Sequence, residues 1–137
     1  MINSKNSIKR ILIIEDEEDL RNLYFGLLTG QGYTVDQAAD GEEAYNKIKN
    51  GGFDLVLLDI MLPQMDGFEV LEKLIATKPL KQSVDSIVLL TNLSQDQTVA
   101  RGTELGVMGY MIKSDYNPKQ FLDQITEFLT MVNQNNG

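Results

Sequence analysis

The chain has 137 residues and a formal net charge of −8, which fits one domain with a core of its own. That charge, with basic residues scattered rather than gathered in a stripe, argues against nucleic-acid binding. There is no cysteine and no histidine, so disulfides, thiolate nucleophiles, Cys-based zinc sites and imidazole chemistry are excluded, and carboxylates, hydroxyls and lysine are left to do any chemistry.

Residues 1–9 read as a polar N-terminal extension, and the apolar run Ile11 to Ile14 after it is too short for a signal-peptide core. No segment approaches membrane-spanning length, so a cytoplasmic protein without membrane contact is expected. Ile11–Ile14 is instead a buried strand, and the acids Glu15 to Asp19 start a helix in which Leu20, Leu23, Tyr24, Leu27 and Leu28 recur at helical spacing. Gly30 and Gly32 end that helix. Tyr33–Ala38 is a second strand, and Asp40 with Glu43 caps a second helix carrying Ala44, Tyr45 and Ile48.

After Gly51-Gly52 comes the most apolar short run of the chain, Phe53 to Leu58, which closes on Asp59 and is read as a strand from Asp54 to Leu58. Asp66 and Glu69 cap a third helix with Val70, Leu71, Leu74 and Ile75 inward. Ser86–Thr91 is a strand ending on a hydroxyl, Ser94 with Gln97 opens a fourth helix that stops at Gly106, and Gly109–Lys113 is a strand ending on an ammonium. Asn117-Pro118 begins a last helix with Phe121, Leu122, Ile125, Phe128, Leu129 and Val132 inward, and residues 133–137 are expected to fray. Strands alternating with helices predict an α/β domain over residues 10–132, with a five-stranded parallel sheet covered on both faces.

Parallel strands point their carboxyl ends the same way, so Glu15 and Asp16, Asp59, Thr91 and Lys113 are expected on one rim of the sheet, where open α/β sheets bind ligands. Each has an ordinary reading alone: a solvated helix start, a β-favouring threonine, a surface lysine. Together they place three carboxylates where mutual repulsion invites a hard cation, with a lysine and a hydroxyl opposite to hold an anion, and Mg²⁺ suits oxygen ligands that share a phosphate.

Carried by Glu15-Asp16, the segment Leu57 to Gly67, Thr91, and Tyr110 three residues before Lys113, the chain resembles the receiver domain of two-component response regulators over nearly its whole length. The resemblance implies a doubly wound, flavodoxin-like sheet in the order 2-1-3-4-5 and phosphorylation of Asp59 by a sensor histidine kinase or phosphotransfer protein. It further implies Mg²⁺ held by Asp16, Asp59 and the backbone carbonyl of Met61, with Glu15 acting through a bound water. Lys113 would pair with the phosphoryl oxygens, Thr91 would hydrogen-bond one of them and reposition, and Tyr110 would be the switch aromatic. Two positions depart from the family pattern: Asn92 where Ala or Gly is usual, and Ser114 where Pro is usual, which argues against the cis bond common there.

A haloacid-dehalogenase-type phosphatase, or a Toprim-like nuclease, would need an acid where this chain has Met61. A flavodoxin-like cofactor binder would need a glycine- and hydroxyl-rich loop where it has Glu15 to Asp19. A receiver-fold scaffold that is never phosphorylated has no use for the acid set. The expectation is therefore a stand-alone switch, with such a scaffold, or a receiver cut from a longer regulator, as the alternatives. It would be no enzyme toward other substrates, would be monomeric or dimeric on phosphorylation, and would signal to a protein target through the fourth helix, fifth strand and last helix. Gln95, Arg101, Glu104 and Lys119 are polar candidates on that face. By the same resemblance the positions two residues beyond Asp59 and Thr91 flank the path of an attacking water, and apolar Met61 and Leu93 there imply a long-lived phosphoryl group because neither orients that water.

Overall fold

Branched aliphatic side chains stiffen the short runs that form the strands, and polar residues stop them. In the computed structural model, which describes residues 7–77, 82–92 and 96–136, the strands are β1 (Arg10–Ile14), β2 (Thr34–Ala38), β3 (Leu55–Asp59), β4 (Ile87–Thr91) and β5 (Gly109–Ile112). They alternate with helices α1 (Glu18–Gly30), α2 (Gly41–Asn50), α3 (Gly67–Ala76), α4 (Asp96–Leu105) and α5 (Pro118–Asn136). Every pairing is parallel and the sheet order is β2-β1-β3-β4-β5.

Alternate residues of each inner strand serve opposite faces. Leu12, Ile14, Val56, Leu58, Ile87 and Leu89 pack with Ile48, Phe68, Leu71 and Leu74 of α2 and α3. Ile11, Ile13, Leu55, Leu57, Val88 and Leu90 pack with Tyr24 and Leu28 of α1 and with Phe121, Ile125 and Phe128 of α5. Both faces of β1, β3 and β4 are thus dry, which is why these strands read as unbroken apolar runs.

Three helix starts follow the capping chemistry in the sequence. Asp40 Oδ1 accepts from the Glu43 amide at 2.8 Å, Asp66 Oδ1 from the Glu69 amide at 2.9 Å, and Asn117 Oδ1 from the Gln120 amide at 2.8 Å. The Asn117–Gln120 box is reciprocal, because Gln120 Oε1 accepts from the Asn117 amide, whereas Glu43 reaches one residue further back, to the Ala39 amide. The Ser94–Gln97 cap expected for α4, and Gln95, fall where residues 93–95 lie outside the described residues.

Four expectations shift. Ile75 is exposed rather than inward, because Val70, Leu71 and Leu74 already fill the α3 stripe and the next residue turns past it. Asp54 stands before β3, where its Oδ2 accepts the Arg10 amide at 2.7 Å. β5 stops at Ile112, and Lys113 begins a 3-10 turn, Lys113–Asp115. α5 continues to Asn136, past Val132 where the tail was expected to start.

Candidate functional site

The sheet order places β1 and β3 side by side with their crossovers leaving in opposite directions, and a doubly wound sheet opens a crevice at the carboxyl ends of such a pair. β1 delivers Glu15 and Asp16 to that crevice and β3 delivers Asp59. β4 and β5 add Thr91 and Lys113: Asp59 is registered against Leu90, and Thr91 against Ile112. The rim expected from the sequence forms.

Glu15 and Asp59 are 0 % and 1 % exposed, while Asp16, the neighbour of Glu15, faces solvent. Lys113 Nζ spans the two buried acids, 2.5 Å from Glu15 Oε1 and 2.9 Å from Asp59 Oδ2. The other oxygen of Asp59, Oδ1, accepts the Met61 amide at 3.0 Å, so both edges of that carboxylate are held. Arg21 Nη1 donates to the Glu15 carbonyl at 2.9 Å and braces the turn from β1 into α1. Sequence reasoning passed over Arg21, whose spacing from Glu15 is the only trace it leaves.

Burial pushes the Glu15 carboxyl above its ordinary range, and the adjacent Asp59 adds to the rise; the Lys113 ammonium pulls the other way without cancelling it. For Lys113, burial favours losing the proton, but hydrogen bonds and charge from Glu15 and Asp59 outweigh it and hold the ammonium above its ordinary range. The pair therefore responds to crowding among the acids as much as to its own contact.

Among the described residues, Glu15, Asp16 and Asp59 offer ligand oxygens that all lie within 4.8 Å of one another. With all three ionised and one ammonium beside them, the site carries the opposite charge of one divalent cation, and its hard oxygen donors fit Mg²⁺. Thr91 is buried at the end of β4, and Tyr110 on β5 is 40 % exposed, its ring outside the core. Met61 is 70 % exposed, two residues beyond Asp59. Leu93 lies outside the described residues.

Residues 11–126 match the family described as response regulator receiver domain. The chain belongs to the response regulator receiver family. It is 38 % identical over 112 residues to the alkaline phosphatase synthesis transcriptional regulatory protein PhoP of Bacillus subtilis, covering 82 % of this chain and 45 % of that protein. Over 126 residues it is 36 % identical to the probable transcriptional regulator ycf27 of Porphyridium aerugineum, covering 92 % and 50 %. The receiver thus spans about half the length of these curated relatives. Among solved structures, the CheY-like response regulator receiver domain protein from Methanospirillum hungatei superposes with a TM-score of 0.80 at 32 % identity, covering 94 % of this chain and 99 % of that one. No helix among the described residues is long and apolar enough to cross a membrane.

Proposed function

We propose that this receiver is a phosphorylation-activated switch that takes a phosphoryl group from a sensor histidine kinase or phosphotransfer protein onto Asp59, with Mg²⁺ bound. The observation that carries this reading is the buried carboxylate of Asp59 bridged to Glu15 through Lys113, with Asp16 open to solvent beside them. Phosphoryl transfer needs charge neutralisation and positioning more than covalent chemistry from the protein. Asp16, Asp59 and the Met61 carbonyl would hold the cation, with Glu15 behind a water, and the cation would neutralise charge on the transferring group.

Lys113 would pair with phosphoryl oxygens arriving on Asp59, a role supported by its ammonium lying within hydrogen-bond reach of Oδ2. The Thr91 hydroxyl, one strand over, would take another of those oxygens, and its movement would let the Tyr110 ring turn inward. That shift would be read by a protein target on the surface of α4, β5 and α5, where Arg101, Glu104 and Lys119 stand. The receiver would act as a catalyst only on its own phosphorylation and dephosphorylation.

Beryllofluoride with Mg²⁺ mimics the phosphoryl group, and amide chemical shifts report where the mimic binds and how far its effect spreads. The parent should shift at Asp59, Thr91 and Lys113, and onward at Tyr110 and along α5; Thr91→Ala should keep the first set and lose the second. A parent that does not shift, or an Asp59→Asn variant that shifts identically, would contradict the reading.

A further inference from the structure

The loop from β3 to α3 carries the Met61 amide that orients Asp59, and it alternates between anchored and exposed residues. Ile60 and Leu62 are buried at its start and Gly67 at its end, while Met61, Pro63 and Gln64 are exposed. The Ile60 carbonyl accepts from both the Leu62 amide at 3.2 Å and the Gly67 amide at 2.9 Å, which folds the loop back on its own root. At the tip the Met65 amide donates to the Pro63 carbonyl at 2.7 Å across Gln64, whose φ is 69°. A three-residue turn with positive φ at its centre is the rare and strained form of γ-turn, and Gln64 has no glycine's freedom to adopt it. Such a conformation persists only where its surroundings over-determine it.

Ile60, Leu62 and Met65 pack on the apolar cluster below the loop, and two glycines set how closely its backbone can approach its neighbours. At Gly67 a Cβ would fall 2.7 Å from the Asp59 carbonyl oxygen and 2.9 Å from Ile60 Cα, so the root closes only on a bare backbone. At Gly41, the buried first residue of α2, a Cβ would fall 2.3 Å from the Met65 carbonyl oxygen and 2.8 Å from Met65 Cβ, closer than side chains pack. Gly41 lies at a helix start and is not one of the residues with positive φ, so the backbone there does not call for glycine. Space does. The start of α2 is pressed against the strained tip, and Asp40 fixes that start by capping the helix.

We propose that Gly41 is a positioning residue for phosphoryl transfer: it seats Met65, and through the tight turn it fixes where Met61 presents its amide to Asp59 and its carbonyl to the cation. This inference rests on the phosphoacceptor reading above. Displacement of a supporting group commonly costs roughly tenfold or more in metal affinity.

The test compares Gly41→Ala with Gly26→Ala, the same exchange in α1 where nothing lies within 4 Å of the added methyl. Three quantities are read: unfolding, the Asp59 and Met61 amide shifts without metal, and Mg²⁺ affinity by titration. Gly41→Ala should keep the sheet's shifts, move those of residues 59–65, and bind Mg²⁺ roughly tenfold more weakly, with Gly26→Ala like the parent. Parent-like shifts and affinity in a folded Gly41→Ala would overturn the proposal. If that variant does not fold, Met65→Gly removes the Met65 Cβ that Gly41 faces without adding an atom and should still lower affinity; parent affinity there overturns the proposal equally. A parent that binds no Mg²⁺ would instead overturn the functional reading, and this inference with it.

Discussion

Glu15 and Lys113 meet in a pocket that would penalise either charge alone, and Asp59 shares the same ammonium. Because burial and then Asp59 hold the Glu15 carboxyl above its ordinary value, the native state keeps a proton that the unfolded chain has already lost as pH climbs past about 4.5. Stability of the metal-free protein should fall as pH rises through that interval up to the native value. Glu15→Gln, which mimics the protonated form and can still accept from Lys113, should flatten the fall and raise stability at neutral pH in chemical unfolding with chelator present. Lys113 acts in the opposite place: its raised value contributes stability that is complete below about 10.5 and lost as pH rises through the native value. Lys113→Ala should cost roughly 3 kcal/mol at neutral pH, because two buried carboxylates lose their cation and Glu15 limits the damage by taking up a proton. The identities of these residues were legible because polar groups stood where apolar strands stopped. Their pairing was not: which of the neighbours Glu15 and Asp16 points inward depends on the twist and register at the end of β1, and no local pattern encodes that.

Tyr24 of α1 stacks on Phe121 of α5, ring centroids 4.7 Å apart and planes 17° from parallel, and the two helices close over β1, β3 and β4 through that contact. Burial pushes the Tyr24 hydroxyl up to about 12 from its ordinary 10.0. The unfolded chain ionises this phenol first, so stability should decline from about pH 10 to pH 12, by about 2 kcal/mol over that range from Tyr24 alone. In Tyr24→Phe that part of the alkaline slope should vanish, leaving the parts due to Lys113 and to Tyr116, whose hydroxyl burial also holds above its ordinary value; an unchanged slope would mean that the phenol is solvated. Helix starts were legible at this scale because Asp40 and Asp66 each stand three residues before Glu and Asn117 stands before a first-turn proline, and capping is a local event; the Asn117–Gln120 pairing is added by the structure. The β3–α3 turn was not, since Gln64 at positive φ contradicts its own preference and is held by α2, a tertiary cause. Ile75 misled for a similar reason: an apolar side chain one step past a filled stripe looks inward in the sequence and faces out in the fold.

Across the molecule, the alternation of strands and helices dictates a parallel sheet with both faces covered, and the two core clusters on its opposite sides follow from it. The order 2-1-3-4-5 rested on resemblance, because alternation alone is satisfied by other right-handed doubly wound orders. That order matters to function, since it sets the acid pair of β1 beside Asp59 and brings Lys113 across from β5 to bind both. The central claim is that this convergence makes Asp59 the phosphoacceptor. The most direct measurement is phosphorylation by acetyl phosphate with and without Mg²⁺, followed by intact-mass analysis and mapping of the acid-labile group. A single phosphoryl group on Asp59 that requires Mg²⁺ and is absent from Asp59→Asn is the predicted result; the same acid-labile group retained by Asp59→Asn, or a parent left unmodified in Mg²⁺, would contradict it.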